Sequence, residues 1–466
     1  MKRLHLIICL FVTAWTTASA YDFMVDGIAY NKNKDGKSVT LTYTTQSTPA
    51  QYPDQSIFST YEGDFVIPST VVNNDVIYDV TAIGDYAFRY CTALTGITIP
   101  NTVTSIGDMA FGNCSGLTSV SIPGSVTNIG ENPFFACTSL KEFIVDNDNT
   151  YFSSFEGVLF NKDITTLIAF PCAKTQSYNI PSGVKKISNR AFQYSDLEIV
   201  NLPNSLDSIG TYAFAVSNLH SITIPENVTY IGGGAFWYCS KLTTVNYNAI
   251  NCETPIASLV NQSYSTATCF ALNPLTTLNF GENVKVIPHY LAYMMKDLTS
   301  ISIPESVEEI GERAFGGSGL TEVTLPCNVK SIGNMGFWQC EHLEKVKSLA
   351  QQPPTCSSDT RIATFKSINP NCILYVPKGC FKVYALAKGW AGFFVDIIEI
   401  EEEPEVLKGD VNGDGYVNTS DITVLQNKIL GIESQPFYEN NADMNDDGVF
   451  DISDITLIIN CILNRQ

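Results

Sequence analysis

The residues best placed to do chemistry lie near the end of the chain. Asp410-Val411-Asn412-Gly413-Asp414-Gly415-Tyr416-Val417-Asn418-Thr419-Ser420-Asp421 returns 33 residues later as Asp443-Met444-Asn445-Asp446-Asp447-Gly448-Val449-Phe450-Asp451-Ile452-Ser453-Asp454. Both copies carry oxygen-bearing side chains at positions 1, 3, 5, 9 and 12, and a glycine at position 6, where the chain must turn sharply. Tyr416 and Val449 stand at position 7 and supply a backbone carbonyl. An all-oxygen donor set selects a hard divalent cation over zinc, and a full protein cage favours calcium over magnesium. The expectation is two Ca2+ ions. The first loop gathers the carboxylates of Asp410, Asp414 and Asp421, with Asn412 and Asn418 neutral. The second gathers Asp443, Asp447, Asp451 and Asp454, with Asn445 neutral. Affinity rises with ligand charge, so the second loop is expected to bind more tightly.

The elements that hold these loops are simple. One apolar helix follows each, from Asp421-Ile422 and from Asp454-Ile455. Position 12 is Asp rather than the Glu of an EF-hand, and no helix precedes the first loop. Paired loop-helix units of this kind resemble a dockerin type I domain over residues 408–466. That resemblance implies calcium binding and a cohesin-like partner, met by loop positions 10 and 11. Here these are Thr419 and Ser420, then Ile452 and Ser453. The first pair fits the hydroxyl preference of the family; Ile452 departs from it and argues against symmetric, two-way binding. Residues 401–407 read as an acidic linker. From Glu401 to Gln466 there are 14 acids against Lys408, Lys428 and Arg465, a net of −11.

Most of the remaining chain is a repeat. Ile83-Gly84, Ile106-Gly107 and Ile129-Gly130 are 23 residues apart; Ile187-Ser188, Ile209-Gly210 and Ile231-Gly232 are 22 apart. Ile287, Ile310-Gly311 and Ile332-Gly333 continue the series. The unit reads Ile-Gly-x-x-Ala-Phe-x-x-Cys-x-x-Leu-x-x-Val-x-Ile-Pro-x-x-Val-x-x, with Ile106 to Asn128 a clean copy. Leu117 to Ile122 alternates as a short strand whose Val120 and Ile122 face inward, and Pro123 ends it. Gly107 is expected at a tight turn. A single unit cannot bury its apolar side chains; stacked units can. The fold class expected is an α+β solenoid with a parallel strand sheet along one face, plus a small all-α calcium module.

The unit resembles the BspA-like surface leucine-rich repeat family, which implies a bacterial secreted or cell-surface protein with a part in adhesion. About ten units of 22–23 residues are expected over 81–350, between a strand-rich cap at 21–80 and a second cap at 351–400. In that second cap Tyr384 to Trp390 is expected as a helix, and Ile373 to Val376 and Val395 to Ile400 as strands. Two gaps, Ile129 to Ile187 and Ile231 to Ile287, each suggest a degenerate unit plus extra loop.

Cys91, Cys114, Cys137, Cys239 and Cys340 share one slot, which Ser195, Ser217 and Ser318 fill in shorter units. Buried thiols are the expectation, with disulfides or a metal as alternatives; a Cys252–Cys269 bridge across the second gap is also open. The residues flanking each strand's middle position, from Gly96/Thr98 and Ser119/Ser121 through Ser300/Ser302 to Lys345/Lys347, form a row of mostly small polar groups facing outward. That row could bind a protein or a glycan.

Other classes find little support. The net charge of −20 argues against nucleic acid. His220, His289 and His342 fall in different units without a nucleophile at a motif spacing, and Glu142 and Glu322 are too far apart to act as a pair, so no catalytic residue is expected. Lys2-Arg3, the apolar run Leu4 to Trp15 and Ala18-Ser19-Ala20 read as a secretory signal over 1–20. No later apolar stretch is long enough to span a membrane. The reading is a non-enzymatic secreted or surface binding protein; the alternative is an accessory, non-catalytic subunit of a polysaccharide-degrading complex.

Overall fold

The computed structural model describes residues 21–44, 61–252, 268–270, 273–357, 359–400, 407–432, 436–445 and 447–463. The signal segment, most of the acidic linker and the loop of the second gap lie outside these. The chain divides into two compact units near Ile398.

The first unit is the repeat array. A complete repeat contributes not one strand but two. The alternating run makes the longer strand, as in Ser119–Ile122, which pairs parallel and in register with Glu142–Val145. The Ile of Ile-Gly makes its own two-residue strand: Ser105–Ile106 pairs parallel with Ala82–Ile83 on one side and Asn128–Ile129 on the other. This second ladder was invisible in the periodicity, because two residues show no alternation.

Between the two strands the chain returns through a turn that is itself a ladder. Tyr86, Phe88 and Tyr90 donate their backbone N–H groups to Asp108, Ala110 and Gly112, and Met109, Phe111 and Asn113 donate to Glu131, Pro133 and Phe135. Donors and acceptors can alternate this way only if the backbone alternates between right- and left-handed conformations. Positive φ accordingly recurs three and seven residues after the Ile: 51° and 61° at Met109 and Asn113, 57° and 63° at Arg190 and Tyr194. The turn glycine works differently from expectation. Gly107 has no positive φ; a Cβ there would lie 2.5 Å from the Asp85 amide nitrogen of the preceding unit. Its role is to let consecutive units approach, not to permit a tight turn.

The Phe side chains of neighbouring units stack in three runs, from Phe88 to Phe134, from Phe170 to Phe270 and from Phe315 to Phe365. Phe88 and Phe111 are 5.0 Å apart at 7°, Phe214 and Phe236 5.1 Å apart at 1°, and Phe337 and Phe365 5.5 Å apart at 4°. That last pair shows the stack running past residue 350, where the sequence pattern fades: Ile373–Val376 joins the ladder parallel to Lys345–Ser348. The helix after it, α1, is Phe381–Leu386, earlier than expected, because the chain enters it directly after Gly379 and leaves it before Gly389, both at positive φ. Trp390 and Tyr384 are buried over the end of the core.

The first gap is more than a loop. Phe152–Phe155 and Val158–Asn161 form an antiparallel hairpin around Glu156-Gly157, both at positive φ as a two-residue hairpin turn requires. Val158–Asn161 then pairs antiparallel with Thr166–Ala169, which rejoins the repeat ladder parallel to Lys186–Ile187. Val158, Leu159 and Phe160 are all fully buried. Leu159 packs into an apolar core running from Tyr30 to Phe143, and Val158 and Phe160 into another running on to Trp390. The hairpin strand is thus a partition between two cores.

Candidate metal centre and docking surface

Among its described residues the second unit holds three helices, α2 (Thr419–Ile429), α3 (Glu439–Ala442) and α4 (Ile452–Leu463). Leu425 of α2 and Ile458 of α4 bury completely with Val411 and Ala442. A short α3 precedes the second loop, an element that four polar-flanked residues had not announced.

The two loops share one hydrogen-bond plan. In the first, the Asp410 carboxylate accepts from the amides of Asp414 (3.0 Å) and Gly415 (2.8 Å), and Asp414 accepts from Tyr416 (2.9 Å). Asp421 accepts from the amides of Asn412 (3.1 Å) and Asn418 (2.9 Å), tying position 12 to positions 3 and 9. The second follows the same plan, except that position 12 ties back to position 2 instead of position 3. Asp443 accepts from Asp447 and Gly448, Asp447 from Val449, and Asp454 from Met444 (2.8 Å) and Asp451 (3.0 Å). Gly415 and Gly448 sit at φ 86° and 78°, the left-handed turn that position 6 demands.

Asp421 and Asp454 are completely buried and Asp410 nearly so. Burying carboxylates with only amide donors is costly unless a cation joins them. Among the described residues no three carboxylate, imidazole or thiol groups form a metal cluster by themselves. The loops' donor sets instead mix carboxylates with the amide oxygens of Asn412, Asn418 and Asn445 and with backbone carbonyls, which is the chemistry of a calcium loop. Asn418 caps α2, accepting from the Ser420 amide at 2.8 Å, and Asp451 caps α4 through the Ser453 amide at 2.7 Å. The Ser453 hydroxyl and amide together hold the Asp451 carboxyl below its usual range.

The four expected partner-facing residues differ less in exposure, Ser420 being exposed and Ser453 half-buried, than in what their side chains bond. Thr419 and Ile452 are exposed, Ile452 at 77%. Ser420 and Ser453 turn their hydroxyls inward, donating to Asn418 and Asp451 and accepting from Asn412 and Asn445. Leu430 and Ile432, exposed at 65% and 53% just after α2, add apolar surface that the loop pattern gave no reason to single out.

On the array, the outward row is not a free row of donors. Asn201 donates to Asn179 (2.6 Å), Asn246 to Thr223 (3.2 Å) and Asn279 to Asn246 (2.9 Å), so several amides are spent along the stack. Ser300 and Ser302 do not join it as strand residues; the segment between Thr277–Phe280 and Glu322–Leu325 leaves the ladder. Cys252 and Cys269 are unbridged and buried beside Tyr247, and no disulfide joins the other described cysteines.

A family model for the BspA type leucine rich repeat region matches residues 69–171, 168–255 and 263–382, together more than half of the chain, and a model for the dockerin type I domain matches residues 408–463. Dockerin type I domains bind calcium, and such a domain implies a cohesin partner. The comparison with curated proteins gives no match. Among solved structures, a leucine-rich repeat protein from Bacteroides ovatus is 23% identical, with 82% of this chain and 100% of that chain covered and a TM-score of 0.46. A leucine rich cell surface protein from Faecalibacterium prausnitzii is 21% identical, covering 82% and 95%, with a TM-score of 0.39. The pneumococcal vaccine antigen PcpA is 18% identical, covering 81% and 98%, with a TM-score of 0.38. Among the described residues no helix is long and apolar enough to cross a membrane. The chain belongs to the BspA-type leucine-rich repeat family and carries a C-terminal dockerin type I domain, a combination that supports a non-catalytic binding protein.

Proposed function

We propose that this chain is a secreted bacterial binding protein without enzymatic activity. Its repeat array captures an extracellular ligand, and its dockerin, loaded with two Ca2+ ions, docks onto a cohesin-like domain. The observation that carries this reading is the shared plan of the two loops, each closed by a buried position-12 aspartate. The first ion would be held by Asp410, Asn412, Asp414, Asn418, Asp421 and the Tyr416 carbonyl. The second would be held by Asp443, Asn445, Asp447, Asp451, Asp454 and the Val449 carbonyl. Each ion supplies positive charge that offsets the mutual repulsion of the carboxylates and ties a loop to the helix behind it.

Docking is asymmetric in this reading. Thr419 and Ile452 are the members of the two pairs whose side chains are not tied into the loops, and their different chemistry gives the two helices different faces. The test is surface-immobilised cohesins titrated with the full chain in calcium and in excess chelator. Calcium-dependent binding that falls when Thr419 is replaced by Arg, more than when Ile452 is, supports the reading. Binding that persists in chelator, or a glycan turned over by the pure protein, overturns it.

A further inference from the structure

The shortened turn beside the hairpin leaves a cleft that the repeat pattern does not fill. In the complete turns that start at Ile83, Ile106, Ile187, Ile209, Ile231, Ile287, Ile310 and Ile332, the third and fifth residues after the Ile donate their N–H groups to the next unit. In the turn after Ile129 these residues are Asn132 and Phe134, and neither makes that bond. The cause is visible in the next unit. There Leu167 takes the place of the Ile, opposite Ile187. Phe170 takes the place of the stacked Phe, 4.7 Å from Phe192, and Cys172 that of the slot Cys. They follow Leu167 after three and five residues instead of five and eight, so the chain is too short to bring carbonyls opposite Asn132 and Phe134.

The result is a cleft of about 280 Å³, near the lower end of small-molecule sites. Glu131, Asn132 and Phe135 line one wall, Lys186, Asn189 and Arg190 the other. Three features point to an anion. The unused amides lie in a turn of alternating handedness, with φ 51° at Asn132 and 54° at Ala136, the backbone arrangement that forms anion-binding concavities. Lys186 and Arg190 form no ion pair among the described residues, in a chain whose net charge is −20. The Arg190 guanidinium is fixed, 4.9 Å from the Tyr212 ring and 5.5 Å from the Phe135 ring, with its Nη1 donating to Gln193 Oε1 at 3.2 Å.

Glu131 narrows the class. The residue two after the Ile caps the next unit elsewhere: Asp85 accepts from the Asp108 amide, Asp108 from Glu131 and Asn189 from Thr211. Glu131 has no such amide ahead of it. Its carboxylate on the cleft wall repels a dianion such as phosphate and accepts from hydroxyl groups. We propose that this cleft binds an acidic sugar. Its carboxylate takes the Asn132 and Phe134 amides beside Lys186, its hydroxyls bond Glu131 and Asn189, and one ring face lies against Phe135. This deepens the reading of the array as the ligand-binding part and rests on it.

The test is titration calorimetry of the full-length protein with glucuronic, galacturonic and N-acetylneuraminic acids, against glucose, galactose, acetate and phosphate at fixed ionic strength. The expected result is that one acidic sugar binds at least about tenfold more tightly than any neutral sugar or simple anion. Lys186→Gln is then expected to lower that affinity by about tenfold, the loss typical of one charged hydrogen bond, and Lys186→Arg to restore most of it. Lys382→Gln, a change of exposed charge on α1, is expected to have no effect. Preference among the three acids distinguishes a plant-type uronate from a host-type sialate. Equal binding of acidic and neutral sugars, acetate or phosphate binding as tightly as the acids, no binding of any sugar, or indifference to Lys186→Gln overturns the proposal. Cohesin binding measured on the same samples separates that outcome from a failure of the docking reading, which would be lost there first.

Discussion

At the residue scale, the cysteine slot shows how a position can be legible while its partner is not. Cysteine and serine are the residues that fill it from unit to unit, which marks a small, inward-facing site. What the thiol touches belongs to another unit: Cys114 Sγ donates to the Phe88 carbonyl at 3.0 Å, Cys137 to Phe111 at 3.1 Å, Cys239 to Phe214 at 3.1 Å and Cys340 to Phe315 at 3.2 Å. The acceptor is a backbone group 25 or 26 residues earlier, which no local pattern displays. We expect Cys91, Cys114 and Cys137 to resist alkylation in the native protein and to react fully in denaturant; mass spectrometry of the labelled peptides checks this, and cross-linked peptides among the three would refute it. Burial pushes the thiols up, Cys91 and Cys340 to about 11 and Cys172 and Cys372 to about 12. An unfolded chain ionises its thiols near about 8.5. The folded state therefore holds its full stability below that pH and loses it as pH rises toward 11, because only the unfolded chain gains by ionising. Melting curves from pH 7 to 10.5 are expected to show the midpoint falling above about 8.5, less steeply in Cys91→Ser.

At the scale of elements, the strand and the loop-helix units were readable because hydrophobic period and ligand spacing are local. The return turn was not. Tyr, Met, Arg and Val occupy left-handed positions such as Tyr86, Met109, Arg190 and Val216, where glycine would be the local expectation. A left-handed L-residue costs roughly 1–2 kcal/mol, and the bonds to the next unit offset it. Those bonds exist only in the stack, so the sequence of one turn cannot announce its conformation. Met109→Ile, which adds a β-branch at such a position, is expected to cost about 1–2 kcal/mol in denaturant unfolding, whereas Asn113→Gly is expected to be neutral or stabilising. In the dockerin, the fragment 401–466 is expected to gain helix on adding calcium, seen by circular dichroism. Calorimetry is expected to assign the tighter site to the second loop, with Asp454→Ala removing it and Asp421→Ala removing the weaker one. Equal helicity in excess chelator would break the coupling of binding to folding, and a tighter first loop would reverse the ranking.

At the scale of the molecule, the period located the two gaps but not what the first one builds, because the hairpin strand carries apolar residues on both faces and so shows no alternation. Its consequence is a core in two parts. Leu159→Ala and Phe160→Ala, adjacent and both fully buried, are expected to weaken different halves of the array, each by about 2–5 kcal/mol. Hydrogen exchange read by peptide would show losses of protection N-terminal to the hairpin for the first and C-terminal to it for the second; identical patterns would mean one continuous core. A protein held by one end and loaded through a captured ligand feels tension along its stack. Phenylalanine rungs and turn ladders grip neighbouring units along much of the array, whereas at the step after Ile129 the Asn132 and Phe134 amides have nothing to hold. Under load the array is expected to part there first, as two successive lengthening events in a single-molecule pull, with the hairpin acting as a fuse between them.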